Sequence, residues 1–252
     1  MIGGGQSMNL RITHLYPDLL NLYGDRGNLI TLEQRCLWRG IDCTRTSVSL
    51  GEPFDRDACD LVFIGGGQDY EQNLLHRDLL EQKGPLIRAA VREGVVFLCI
   101  CGGYQLMGHD YTEQDGRRIE GIGALDIRTV GRPPRLIGDL VARCDKLAEL
   151  GQDPILVGFE NHSGRTYLGQ DVRPLASVIK GGGNNGEDQT EGAIYMNVYC
   201  TYCHGSFLPK NPAMADHLIL TALKRRYSGL RALEPLPSGL EECARAPLIS
   251  CK

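Results

Sequence analysis

Two short apolar runs, each closed by glycine, constrain this chain most. Asp60-Leu61-Val62-Phe63-Ile64 stops at Gly65-Gly66-Gly67, and Val95-Val96-Phe97-Leu98-Cys99-Ile100 stops at Cys101-Gly102-Gly103. Neither run alternates with polar residues, so each reads as a strand buried on both faces. Leu10 to Leu15 and Asp42 to Val48 read as further strands. Gly27 to Gly40 has helical spacing through Ile30, Leu32 and Leu37, and Glu71 to Glu93 has it with a break near Gly84-Pro85. Strand, helix, strand, helix, strand implies an α/β fold with a mostly parallel sheet covered by helices.

After Gly108 the texture changes. Ala124 to Val130, Leu136 to Ala142, Ile155 to Phe159, Ala176 to Ile179 and Ala193 to Tyr199 read as an antiparallel extension. A last helix is expected at about Pro212 to Tyr227. Residues 1–8 are expected to form a disordered leader, 9–228 one domain, and 229–252 a tail without assigned order.

The balance of charge narrows the partners. A formal charge of −4, with no basic run longer than Lys224-Arg225-Arg226, argues against nucleic acid. No apolar stretch approaches the roughly 18 residues of a membrane span, and no export signal is evident, so a cytoplasmic location is expected. The ten cysteines then read as reduced thiols. Cys200-Thr201-Tyr202-Cys203-His204 matches a haem-attachment string, but such attachment belongs to exported proteins and the flanks read as a strand end. No metal-site spacing is present.

Reactive groups of open parallel sheets lie beyond the carboxyl ends of the strands. Cys101 stands there, and Gly102-Gly103 opens a helix: the strand-turn-helix setting of a nucleophile elbow. Cys99, two residues earlier, reads as a packing thiol. A thiolate that attacks a carbonyl needs a base, and His204 follows the strand Ile194 to Tyr199 and precedes Gly205. His162, in Phe159-Glu160-Asn161-His162-Ser163-Gly164, is the other histidine of interest. His14, His76, His109 and His217 read as structural or surface groups.

Cys101-Gly102-Gly103-Tyr104-Gln105-Leu106-Met107-Gly108 together with Thr201-Tyr202-Cys203-His204-Gly205 resembles the class I glutamine amidotransferases of the cobyric acid synthase-like branch. The blocks Tyr16 to Asn28, Gly65 to Asp69, Arg135 to Asp139, Gly158 to His162 and Leu208 to Pro212 are similar to the glutaminase subunits of the lipid II isoglutaminyl synthase family. The matches extend from about residue 10 to 220. The resemblance implies a flavodoxin-like domain that hydrolyses L-glutamine to glutamate and ammonia through a Cys-His dyad. It further implies a heterodimer with a Mur ligase-like partner, MurT, which binds ATP and Mg and amidates the D-glutamate of lipid II; no cofactor is expected in this chain.

The same resemblance gives Cys101 as nucleophile and His204 as base and later acid. Backbone N–H groups of Gly66, Gly67 and Gly102 would form an oxyanion hole. Arg135 would hold the glutamine substrate, because a guanidinium binds both oxygens of a carboxylate. Gln105 would help hold the substrate or the elbow. One departure stands out: class I enzymes commonly place Glu two residues after the catalytic His, and here Ser206 occupies that place. Who orients His204 is open, with Glu160 the one candidate weighed. The alternatives are the glutaminase domain of another cobyric acid synthase-like amidotransferase, a cysteine peptidase or deglycase with the same elbow, and a scaffold without hydrolysis.

Overall fold

A computed structural model describes residues 7–21, 24–67, 75, 77–237 and 239–250. The leader expected at 1–8 lies outside them up to residue 6, as do His76 and the block residues Leu22, Tyr23, Gln68 and Asp69.

Among the described residues, twelve strands form two sheets. In chain order they are β1 (Asn9–Leu15), β2 (Asp42–Val48), β3 (Leu61–Ile64), β4 (Val96–Ile100), β5 (Asp110–Thr112), β6 (Arg118–Glu120), β7 (Ile127–Arg143), β8 (Ile155–Leu168), β9 (Ala176–Lys180), β10 (Thr190–Glu191), β11 (Ala193–Tyr195) and β12 (Val198–Thr201). The first sheet runs β11-β12-β4-β3-β1-β2. All its pairings are parallel except the β11–β12 hairpin at one edge. Every residue of β3, β4 and β12 is buried, so both faces of the sheet centre are covered, as their unbroken apolar composition requires.

Helix α1 (Arg26–Leu37) follows β1. A π-helical turn, Asp78–Lys83, leads into α2 (Gly84–Arg92), with Pro85 where the π turn gives way to the α-helix. Helix α3 (Gly102–Leu106) follows β4 directly. Helices α4 (Asp145–Glu149), α5 (Phe207–Lys210), α6 (Pro212–Lys224) and α7 (Gly239–Ser250) complete the chain. Arg35 of α1 ties it to α6 through Asp216 at 2.7 Å. The tail thus carries a helix, and its buried Arg245 bonds Asp153 at 2.6 Å.

The second sheet runs β10-β9-β7-β5-β6, with β8 paired antiparallel to β7. Two segments expected as separate strands merge here: β7 continues through Pro133-Pro134, and the ladder with β8 shifts register between Gly131 and Leu136 to pass them. A bulge lets proline sit in a strand without breaking the pairing on either side.

The register brings the carboxyl ends of four strands to one sheet edge. Leu15 aligns with Ile64, Ile64 with Cys99, and Thr201 with Ile100. The segments that follow β1, β3, β4 and β12 therefore meet.

Candidate active site

Cys101 is built as an elbow. Its φ of +48° with ψ of −102° lies outside the regions an L-residue prefers, a strain of about 1–3 kcal/mol that the surroundings must hold. Its N–H donates to the Thr201 carbonyl at 2.9 Å, and its carbonyl accepts from the Gln105 N–H at 3.0 Å. Gly103 is required next: a Cβ there would stand 2.6 Å from the Ile64 carbonyl oxygen, so only glycine lets α3 lie against β3. Cys101 is 8% exposed, whereas Cys99 is sealed within the sheet beside Cys200.

His204 leaves β12 and is pinned to β8. Its N–H donates to the Phe159 carbonyl at 2.7 Å, and Phe159 returns a longer bond at 3.4 Å. The side chain is fully buried. Its Nδ1 lies 3.5 Å from Oδ1 of Asp25, a buried carboxylate at the start of α1. Oδ2 of Asp25 accepts the Gly66 N–H at 2.7 Å, which fixes the carboxylate beside the imidazole. Gly66 itself sits among all three side chains, since a Cβ there would lie 2.8 Å from His204 Cε1, 3.1 Å from Asp25 Oδ2 and 3.6 Å from Cys101 Cβ.

The electrostatics follow from this grouping. Burial disfavours the imidazolium, but the Cys101 sulfur and the Asp25 carboxylate outweigh it and push the His204 pKa up to about 10. A thiol nucleophile, an imidazole in contact with it and a carboxylate behind the imidazole are the three groups that acyl transfer through a thioester needs.

Asp25 was not among the residues the sequence marked. It lies inside the Tyr16 to Asn28 block, but an aspartate before a helix reads as an ordinary cap. Its one distinguishing signal is its place after β1, at the reactive edge of the sheet. Glu160, the candidate weighed for orienting His204, is engaged elsewhere: its carboxylate accepts the N–H groups of Gly182 at 2.6 Å and Gly183 at 2.9 Å.

The remaining sequence-marked residues stand on the turn after β3, on α3 and on β7. The Gly66 N–H is occupied by Asp25 in this arrangement. Gly67 is the next residue of the same turn, and the Gly102 N–H stands at the first position of α3, where no intrahelical acceptor exists. The buried Gln105 donates from Nε2 to the Tyr202 hydroxyl at 3.2 Å, tying the elbow helix to the segment that carries His204. Arg135 is exposed on β7, its fork resting on Asn161 with Nη2 2.9 Å from the carbonyl and 3.0 Å from Oδ1.

His162 is a packing residue. It stacks on the Tyr202 ring at 3.7 Å and 7°, its Nδ1 meets the Gly164 carbonyl at 2.8 Å, and burial lowers its pKa. The Cys200 and Cys203 of the haem-like string are both buried. Among the described residues, no group of three or more His, Cys, Asp or Glu side chains is placed to hold a metal ion, and no helix is long and apolar enough to cross a membrane.

Residues 11–212 match the CobB/CobQ-like glutamine amidotransferase domain. The lipid II isoglutaminyl synthase (glutamine-hydrolyzing) subunit GatD of Streptococcus pneumoniae is 42% identical, over 89% of this chain and 84% of that protein. Its counterpart in Staphylococcus aureus is 43% identical, over 86% of each. In fold, the chain is similar to PurLQS from Thermotoga maritima, with a TM-score of 0.58 at 16% identity, covering 89% of this chain and all of that one.

Proposed function

The chain belongs to the CobB/CobQ-like glutamine amidotransferase family, and we propose that it is the glutamine-hydrolysing subunit of a lipid II isoglutaminyl synthase. The convergence of Cys101, His204 and Asp25 at one sheet edge supports this most directly, in a chain 42–43% identical to two such subunits. We assign the glutaminase domain to residues 9–228.

In this reading the Cys101 sulfur attacks the side-chain amide carbon of glutamine, and the carbonyl oxygen takes up negative charge. N–H groups of Gly67 and Gly102 receive that charge; Gly66 contributes to the hole only by releasing Asp25, so its main service is to the carboxylate. His204 passes its proton to the departing nitrogen, ammonia leaves, and a glutamyl thioester remains on Cys101. Water, deprotonated by His204, then attacks the thioester; glutamate departs and the thiol is restored. Asp25 holds the imidazole and balances its charge, which extends the Cys-His dyad to a triad. Arg135 binds the substrate carboxylate with its fork, and Gln105 braces the elbow.

The ammonia would pass to a Mur ligase-like partner, MurT, which spends ATP with Mg on amidating the D-glutamate of lipid II in the cytoplasm. The decisive experiment combines the purified chain with that ligase, glutamine, ATP and lipid II. Glutamate should form in step with amidated lipid II. Glutamine consumption without amidation would remove the pathway assignment, and no glutamine consumption at all would remove the enzyme assignment.

A further inference from the structure

Beyond the carboxyl ends of β1 and β2, with β3 between it and the cysteine strand, lies a cleft of ≈ 380 Å³ lined chiefly by His14, Asp18, Arg26, Arg45, Ser47 and Ser49. The parallel register explains the grouping: Ile12 aligns with Arg45 and His14 with Ser47, so the imidazole, the hydroxyl and the guanidinium share one face of the sheet. His14 floors the cleft at 3% exposure, its ring packed 5.3 Å from Phe63. Its Nε2 is buried and has no hydrogen-bond partner among the described residues, and leaving such an atom unpaired costs free energy.

The charge in this cleft is not balanced from within. Two guanidiniums face one carboxylate, and Asp18 already accepts the Ser49 hydroxyl at 2.8 Å. Arg45 pairs with Glu33 at 3.2 Å through Nη1, and Arg26 has no ion pair among the described residues. The imidazole registers this field: burial, then Arg45 and Arg26, lower its pKa to about 4, so it is neutral and Nε2 can carry a proton to donate. The cleft at the opposite end of the sheet is different. Arg11, Arg56 and Arg226 there are each paired, with Asp60 or Glu93, and the fourth arginine, Arg225, rests on the Cys59 carbonyl at 3.4 Å.

We propose that the β1–β2 cleft binds a phosphate-type oxyanion, held by Arg26, Arg45, the Ser47 hydroxyl and His14 Nε2. A single guanidinium fork would satisfy a carboxylate's two oxygens, whereas donors arriving from two guanidiniums, a hydroxyl and a ring nitrogen suit a tetrahedral anion with more acceptors. The site is apart from Cys101 and does not depend on glutamine hydrolysis.

The test titrates inorganic phosphate into the full chain by calorimetry at constant ionic strength, with chloride as the replaced ion. Saturable binding at one site is expected, and Arg45→Gln should weaken it at least about tenfold by removing a charged donor. His14→Phe, which keeps the ring packing, should weaken it similarly, and Arg56→Gln in the opposite cleft should leave it unchanged. Glycerol 3-phosphate binding as tightly as phosphate would identify a phosphate ester as the source; its exclusion would identify the free ion. Absence of saturable binding, wild-type affinity in Arg45→Gln, or acetate competing as well as phosphate would each overturn the proposal. Should His14→Phe fail to fold, the exposed Arg45 decides alone.

Discussion

Ser206 donates its hydroxyl hydrogen to the Gly24 carbonyl at 2.6 Å. Gly27 packs so closely on the same side chain that a Cβ there would stand 2.1 Å from Ser206 Oγ. The residue two places after His204, where class I amidotransferases commonly carry glutamate, therefore grips the loop on either side of Asp25. In this chain the carboxylate beside His204 comes from the segment after β1, and Ser206 holds the residues that flank it.

Asp25→Asn keeps the shape of the side chain and removes its charge. The imidazolium that forms during acyl transfer loses its support, and kcat for ammonia release should fall by about 10²-fold or more. Ser206→Ala loses one neutral hydrogen bond at the loop and should cost less than Asp25→Asn. Steady-state glutaminase assays at saturating glutamine compare the two, and a wild-type kcat in Asp25→Asn would exclude the carboxylate from the centre.

Cys101→Ser should abolish hydrolysis with the fold intact, because a hydroxyl nearly matches the thiol in size but lacks its acidity and nucleophilicity. Cys99→Ser should keep activity and lose stability, as that thiol is sealed between strands. With the ligase partner present, ammonium salt should restore amidation to the Cys101→Ser complex. Reversed behaviour of the two serine variants would move the nucleophile to Cys99.

Much of this centre was legible in the sequence. The unbroken apolar runs gave β3 and β4, and the glycines after them gave the turns, because a parallel strand buried on both faces has few alternative compositions. Cys101 and His204 stood out for the same reason: each follows a strand and adjoins glycine. Asp25 did not, since its meaning depends on β1 lying beside β3, a long-range pairing no local pattern encodes. The continuity of β7 was hidden as well, because Pro133-Pro134 reads as a break and only the shifted ladder with β8 carries the strand past it.

The raised pKa of His204 makes a prediction about stability. Its folded value of about 10 exceeds the ordinary imidazole value near 6.5, so the native state keeps a proton that the unfolded chain releases between these pH values. The contribution is complete below about pH 6.5 and is lost as pH rises through about 10. Denaturant unfolding at pH 7 and pH 10 should show a smaller alkaline loss in His204→Gln than in the wild type, with other titrations cancelling in the difference. Parallel pH profiles would contradict the pairing with Cys101 and Asp25.

Arg135 is exposed and rests its fork on a neutral amide, so it can exchange that contact for a substrate carboxylate. Arg135→Lys should raise KM for glutamine with a smaller effect on kcat, because a point charge replaces a two-pronged donor in binding rather than in chemistry. Unchanged kcat/KM would remove the residue from the substrate site.

Gly66→Ala puts one methyl group where the Cys101, His204 and Asp25 side chains meet. The added carbon would lie 2.8 Å from His204 Cε1, closer than a Cβ can stand, and 3.1 Å from Asp25 Oδ2, a tight contact, so the imidazole must retreat and the carboxylate is crowded. Displacement of a reacting group by about 1 Å typically costs on the order of 10²-fold, and a similar loss in kcat is expected here. Gly205→Ala, whose added carbon would meet only the mobile end of Lys210 at 3.2 Å, strains the backbone at φ +71° without entering the triad. It should therefore lower thermal stability more than it lowers kcat, while Gly66→Ala does the opposite. If Gly66→Ala turns over glutamine at the wild-type rate, the three side chains do not act as a unit around that glycine.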